Sequence, residues 1–312
     1  MYNNTAMQKP YEELQDKLAK IKKTFNVKNA LSIKPTTRTI AKYYHINKFA
    51  YSLFHNKKGF VHMGISRHGK YREADLLEQI ILIEKYISKI KGKKILELGA
   101  GKGANSIYLA RKYPNIQFDA IDLPNGQFNV IKSNTVSNFS PKEGDYHNLQ
   151  IYPNDYFDLV FVIEALCHSD DKEKVFSEVK RVLKKNGIFA IFDGYLGKTR
   201  SSLTKDQLLA CQLTEKGMQI GDFEYYPNVK QKLLKAGFKD VCEEDVSLLI
   251  MPTLKRFEKE ANILFSMPRL LAQIILAIFP HEFTNNALSG YLMPTLIRSE
   301  VAKYMVLIIK KL

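Results

Sequence analysis

A chain of 312 residues, 45% of them hydrophobic, is long enough for one large domain or a core domain with a sizeable appendage, and its composition excludes a disordered chain. Cys167, Cys211 and Cys242 stand far apart with no Cys-x-x-Cys pair, which argues against a disulfide framework or a zinc site and fits a reducing cytoplasm. The net charge of +15 is uneven: residues 1–94 hold 20 Lys/Arg against 7 Asp/Glu, whereas residues 95–200 hold 13 of each. Such a basic leading segment serves either as a solubilising face or as a surface for an anionic membrane, an acidic substrate or nucleic acid.

Residues 1–30 read as a charged helical arm, with no apolar signal-peptide core in Met1–Lys20. Residues 36–56 place Ile40, Tyr43, Tyr44, Ile46, Phe49, Tyr51 and Phe54 at near-helical spacing, which predicts an aromatic-rich helix. A loop with glycine and histidine follows at Gly59–Ser66. Residues 71–90 form an amphipathic helix carrying Leu76, Leu77, Ile80, Ile83, Ile87 and Ile90 on one side. From residue 93 strands and helices alternate. Strands are expected at Lys94–Leu98, Gln117–Ile121, Phe157–Ile163 and Ile188–Phe192, and helices at Ala104–Lys112, Phe128–Asn138 and Lys172–Leu183, the last stopping at Asn186-Gly187. This order predicts a doubly wound α/β fold with a mostly parallel sheet.

Beyond it, residues 201–225 and Asn228–Gly237 read as helical and Lys239–Asp245 as a strand. Residues 253–279 read as helical with a break near Pro268. A final stretch, Leu292–Lys310, begins with Pro294 and ends in the strand-like run Met305–Ile309. The most apolar segment, Ala261–Pro280, contains Arg269 and two prolines, and its core Leu270–Phe279 is about half the ~20 residues a spanning helix needs. It is expected to be an amphipathic or buried helix.

The chemistry concentrates at Ile95-Leu96-Glu97-Leu98-Gly99-Ala100-Gly101-Lys102-Gly103, a strand that runs into glycines and then a helix. Glycine lets the backbone turn tightly and lets a ligand approach it. The spacing Gly99-x-Gly101-x-x-Ala104 also suits a dinucleotide, so the glycines alone leave NAD or FAD open. Glu97 weighs against a pyrophosphate and favours a ligand with an ammonium and a sulfonium. Asp122, at the end of the next strand, is placed to accept both hydroxyls of a ribose, and Asp145 to accept from an adenine amino group.

This segment resembles the class I S-adenosylmethionine-dependent methyltransferases, with Glu97-x-Gly99-x-Gly101 as their first motif, Asp122 as the ribose acid and Asp145 as the adenine acid. The run Ile163-Glu164-Ala165-Leu166-Cys167-His168, with Val175 to Lys184 after it, is similar to the sterol C-24 and tocopherol-type branch. The resemblance covers roughly residues 40–200. The aromatic signature of the sterol enzymes is not reproduced. The resemblance implies a Rossmann-like, seven-stranded sheet with an N-terminal helical cap (residues 1–90), a methyltransferase domain (residues 91–312) and helical substrate-side elements within 201–290. It implies S-adenosylmethionine as cofactor, contacted by Tyr44, His62, Glu97, Gly99, Ala100, Gly101, Asn105, Asp122, Leu123, Asp145, Tyr146 and Glu164.

Methyl transfer from a sulfonium needs mainly alignment, and a base only where the acceptor loses a proton. His168 is the first candidate base or orienter of one, and Glu164 the second. If the acceptor is a carbon, the faces of Tyr44 and Tyr195 are candidates to stabilise a cation. No metal is expected. The acceptor is expected to be a small or lipid-like molecule methylated on carbon or oxygen, with peripheral contact at an anionic membrane left open. Two alternatives are an RNA or protein methyltransferase guided by the basic segment, and a cofactor-binding partner protein without catalysis. The base-methylating Asn/Asp-Pro-Pro-aromatic motif is replaced by Glu164-Ala165-Leu166, which weakens a nucleic-acid role.

Overall fold

The computed structural model describes residues 4–50, 56, 58–90, 93–124 and 136–312. Three helices lead: α1 (Asn4–Thr24), α2 (Val27–Leu31) and α3 (Thr37–Ala50). After them come α4 (Glu78–Ile90), β1 (Lys94–Leu98), α5 (Ala104–Lys112), β2 (Gln117–Asp122), β3 (Phe139–Glu143), β4 (Phe157–Ile163), α6 (Lys172–Val182) and β5 (Leu183–Leu196). The chain then runs through α7 (Lys205–Gly217), α8 (Tyr226–Lys235), β6 (Phe238–Asp245), four helices, and β7 (Ala302–Lys311). Those four are α9 (Met251–Ser266), α10 (Arg269–Ile278), α11 (His281–Thr284) and α12 (Asn286–Arg298).

The seven strands form one sheet in the order β3-β2-β1-β4-β5-β7-β6. Strands β1 to β5 pair in parallel, and β7 runs antiparallel between β5 and β6. The central strands are buried on both faces and are therefore apolar almost throughout. Leu159, Phe161 and Ile163 of β4 face one core with Ile80, Ile83 and Ile87 of α4, while Val160 and Val162 face the other with Val175, Phe176 and Val179 of α6. Helix α4, which falls within the residues 1–90 expected as a cap, packs on the sheet together with Phe60, Met63 and Ile65 of the loop before it.

A third core has no strand at its centre. Leu14, Leu18 and Ile21 of α1 pack with Leu213 of α7, Phe265 of α9 and Leu288 and Leu292 of α12. The buried ammonium of Lys17 ties these helices together through Glu13, Glu258 and the Thr295 hydroxyl. The N-terminal arm and the helices inserted before β7 thus form one helical layer at the end of the sheet.

Several local expectations are corrected. Helix α6 ends at Val182, not at Asn186-Gly187. The pairing of β4 with β5 jumps from Phe157↔Leu183 to Leu159↔Ile188, so the residues between bulge out of a strand already begun, with Asn186 at φ +65°. The edge strand β3 was not anticipated because its sequence, FSPKE, is polar and holds Pro141, which lacks the N–H an interior strand would need. Helix α7 spans only part of residues 201–225. Pro294 lies inside α12 and does not begin a new element. The helix expected at Phe128–Asn138 falls largely outside the described residues, as do Tyr51 and Phe54.

Candidate active site

The chain leaves β1 toward β2 and β3 on one side of the sheet and returns through β4 toward β5 on the other. That switch point opens a crevice at the strands' carboxyl ends, where open α/β sheets take their ligands. A cavity of about 760 Å3 occupies it. Gly99, Ala100 and Gly101 line it after β1, Asp122 and Leu123 after β2, Asp145 and Tyr146 after β3, and Glu164 and His168 after β4. Glu97 and Asn105 line its base, and Tyr44 and His62 close it from the cap. The residues named from the sequence for cofactor contact, and both candidate bases, therefore line one cavity, which Tyr195 does not reach.

The glycine turn is dictated sterically. Gly99 has φ +62°, and a Cβ there would stand 2.3 Å from that of Ala165. Gly101 has φ +55° and donates its N–H to Asp122, whose other oxygen accepts the Leu123 N–H at 2.6 Å. Asp122 thus bridges the end of β2 to the turn after β1.

Glu97 does more structural work than its sequence position suggested. Helix α5 starts after Gly103, which has no side chain to cap the orphan N–H groups of the first turn. Glu97 supplies the acceptor instead. One oxygen takes the Ser106 N–H (3.1 Å) and hydroxyl (2.6 Å), and the other takes the Asn105 amide (2.9 Å). Burial still pushes its pKa up to about 7, against the pull of those bonds. The network continues from the Asn105 Oδ1 to His62 Nε2 at 3.2 Å. His62 Nδ1 faces the Met63 carbonyl at 3.2 Å, so both ring nitrogens face oxygen acceptors.

Glu164 follows β4 with φ +51°, a conformation that costs an L-residue on the order of 1–3 kcal/mol. Its Oε1 accepts from the Met63 N–H (2.7 Å) and the Tyr304 hydroxyl (2.8 Å). Burial pushes its pKa up to about 8. His168 sits on a short 3-10 turn whose Cys167 N–H is held by Asp193 at 2.9 Å. The Gln219 carbonyl at 3.2 Å places the proton on His168 Nδ1, so Nε2 accepts the Tyr44 hydroxyl at 2.9 Å. Burial lowers the His168 pKa to about 4. Asp145 is turned toward His147, accepting its N–H at 2.9 Å and meeting Nδ1 at 2.6 Å.

A second cavity, about 520 Å3 and mostly apolar, adjoins the first. The two share Tyr44, Val61, His62, Glu164, His168 and Phe223. Its walls come from α3 (Tyr43), α9 (Phe257, Ala261, Leu264), α12 (Met293, Leu296) and β5 (Asp193, Tyr195). Sequence reasoning missed Tyr304, Gln219 and Asp193. Only Asp193 carried a local signal, an acid directly after the apolar run Ile188–Phe192, with its pKa raised by burial to about 6. The other two reach the site through long-range packing. Among the described residues no three His, Cys, Asp or Glu side chains gather as a metal site.

The glycine cradle and the strand-end carboxylate fit an adenosine-bearing ligand. Asp122 would hold the ribose diol, and Leu123 and Tyr146 would flank the base. Residues 96–191 match the family described as methyltransferase domain. The chain is similar to the sterol 24-C-methyltransferase of Eremothecium gossypii, 25% identical over 63% of this chain and 50% of that protein. It is similar also to sterol methyltransferase-like 3 of Botryococcus braunii, 30% identical over 62% and 52%. The chain spans about half the length of these curated relatives. Its fold matches the solved cyclopropane synthase MmaA2 of Mycobacterium tuberculosis with a TM-score of 0.69, at 16% identity, over 90% of this chain and all of that one. The family match runs from within β1 to within β5, and the fold match extends over most of the rest of the chain.

Proposed function

We propose that the protein transfers a methyl group from S-adenosylmethionine, held in the larger cavity, to carbon or oxygen of a small, lipid-like acceptor held in the apolar one. The observation that carries this reading is the shared wall: Glu164, His168 and Tyr44 border both cavities. When bound, S-adenosylmethionine supplies an activated methyl on sulfur, so the S–CH3 bond breaks as the acceptor bond forms and the electron pair stays on sulfur.

The residues do the rest by position and proton handling. We rank Glu164 ahead of His168 as base, the opposite of the order read from the sequence. A histidine titrating at about 4 holds a proton poorly, whereas a carboxyl at about 8 takes one readily. Glu164 receives the proton that the acceptor loses. A cation beside it favours its ionised form and lowers its pKa in the complex. His168 orients Tyr44, whose ring borders the reacting space and, with Tyr195, offers a face to a developing cation.

The apolar lining disfavours RNA or protein acceptors, which would bring charge into that cavity. Three free cysteines suit a reducing compartment, the cytoplasm, and the basic leading segment suits peripheral contact with an anionic membrane. The test is transfer from methyl-labelled S-adenosylmethionine to a total lipid extract and, separately, to bulk RNA. Label in the organic phase that depends on Glu164 supports the reading. Label in RNA, or in neither, contradicts it.

A further inference from the structure

Helices α9 and α10 meet at a 111° bend, and no single helix among the described residues is long and apolar enough to cross a membrane. The elbow has two faces. Inward, Ala272 is buried and Leu264, Met267 and Ile275 line the apolar cavity. Outward, Leu270 (73% exposed), Leu271, Ile274 and Ile278 (70%) lie on one side of α10, with Phe279 just beyond. A folded chain rarely leaves so many large apolar side chains together in water. Ile263 belongs to both faces: it lines the cavity and is 66% exposed. The cavity therefore reaches the surface at the apolar patch.

The rim of the patch is basic. The Gln273 amide donates to the Thr24 carbonyl at 2.7 Å, which seats α10 against the end of α1. Residues 17–34 hold six lysines and no acid, and Lys20, Lys22, Lys23 and Lys28 are exposed. Residues 261–281 contain no acid and add exposed Arg269. The nearest acids of α9 and α11 are paired: Glu258 with Lys17, Glu260 with Arg256 and Glu282 with Lys42.

We infer that the α9–α10 elbow docks on an anionic lipid bilayer, with α10 lying in the interface, and that the acceptor is a bilayer-resident amphiphile drawn past Ile263 into the apolar cavity. The inference rests on the reading of that cavity as the acceptor site. An apolar helix face rimmed by lysines is the arrangement that sits at the headgroup boundary, with the cations meeting lipid phosphates. A second copy of the chain is a poorer occupant, because a two-fold contact would bring the lysine rims together.

The chain has no tryptophan, so Ile278→Trp gives a single apolar reporter on the exposed face. With the full chain, vesicles of phosphatidylcholine containing phosphatidylglycerol should blue-shift its emission, and brominated lipid should quench it. Pure phosphatidylcholine should do neither. In flotation, Leu270→Asp/Ile278→Asp should weaken binding to the anionic vesicles at least about tenfold, and Lys22→Glu/Lys23→Glu should do so by a similar factor at low salt. Neither pair should change S-adenosylhomocysteine affinity. Absence of vesicle binding with S-adenosylhomocysteine binding intact overturns the docking surface and leaves the proposed function standing. So does a vesicle-free dimer that Leu270→Asp/Ile278→Asp dissociates. Vesicle binding without S-adenosylhomocysteine binding upholds the docking surface and removes the functional reading beneath it.

Discussion

The two cavities are built by different means. The larger one lies at the ends of consecutive parallel strands, and each strand delivers its own group: Glu97 and the glycines from β1, Asp122 from β2, Glu164 from β4. The apolar one is walled by helices from opposite ends of the chain, α3 against α9 and α12. The first depends on local backbone geometry and a few carboxylates. The second depends on long-range packing. Substitutions in the first should therefore act sharply on cofactor and chemistry, and those between the two on proton handling.

The largest effect is expected at the wall between them. Glu164→Gln should keep S-adenosylhomocysteine affinity within a few-fold while lowering kcat by about 10²–10³, the range for losing a positioned base. A fall in affinity with unchanged kcat would move Glu164 wholly to the cofactor side. Next comes Gly99→Ala, which meets Ala165 and a left-handed backbone at once. It should weaken cofactor binding by about 100-fold, equivalent to roughly 2.7 kcal/mol. Retained affinity would show that the turn gives more than the geometry allows.

Tyr304→Phe removes one donor from the Glu164 carboxylate, which raises the pKa of that group further. Activity should climb with pH, with a kcat/KM limb near 8 in the parent protein, a lower limb in kcat, and both limbs moved upward in the variant. At pH 7 the variant should lose about tenfold in kcat/KM, one pKa unit's worth of ionised base. A profile unmoved by Tyr304→Phe would assign the limb to another group.

The smallest effect is on stability. Glu97 and Glu164 titrate near 4.5 when unfolded and at about 7 and about 8 when folded. The folded state binds protons more tightly, so this contribution is complete below pH 4.5 and is lost as pH rises through the folded values. The Tm of the cofactor-free protein should fall between about pH 6 and 9, by a few degrees per kcal/mol lost. A Tm rising over that window would contradict the buried, protonated state of these acids.

The same contrast explains what was legible in the sequence. Strand-end acids and glycines announce themselves because short apolar runs, Ile95-Leu96, Ala120-Ile121 and Leu159 to Ile163, lead directly to Glu97, Asp122 and Glu164. Position in the chain therefore fixes position at the sheet edge. The strand β3 was hidden by Pro141 and its polar residues. The role of Glu97 was only half legible: a helix directly after Gly103 is expected, but nothing local says that its first turn takes its acceptor from β1. Tyr304 reaches Glu164 across 140 residues and Gln219 reaches His168 across 51. No spacing rule finds such pairs. The helical walls of the apolar cavity read simply as amphipathic segments, because periodicity reports that a face is buried without saying against what.

The crevice at the carboxyl ends of β1 and β4 is proposed to hold the methyl donor. Titration calorimetry of the full chain with S-adenosylhomocysteine, run beside NAD, tests this assignment most directly. One-to-one binding of S-adenosylhomocysteine is expected, weakened at least about tenfold by Asp122→Ala, since hydrogen bonds to a charged group are worth roughly 1.5–3 kcal/mol each. Binding of NAD without S-adenosylhomocysteine, or S-adenosylhomocysteine affinity indifferent to Asp122→Ala, would contradict it.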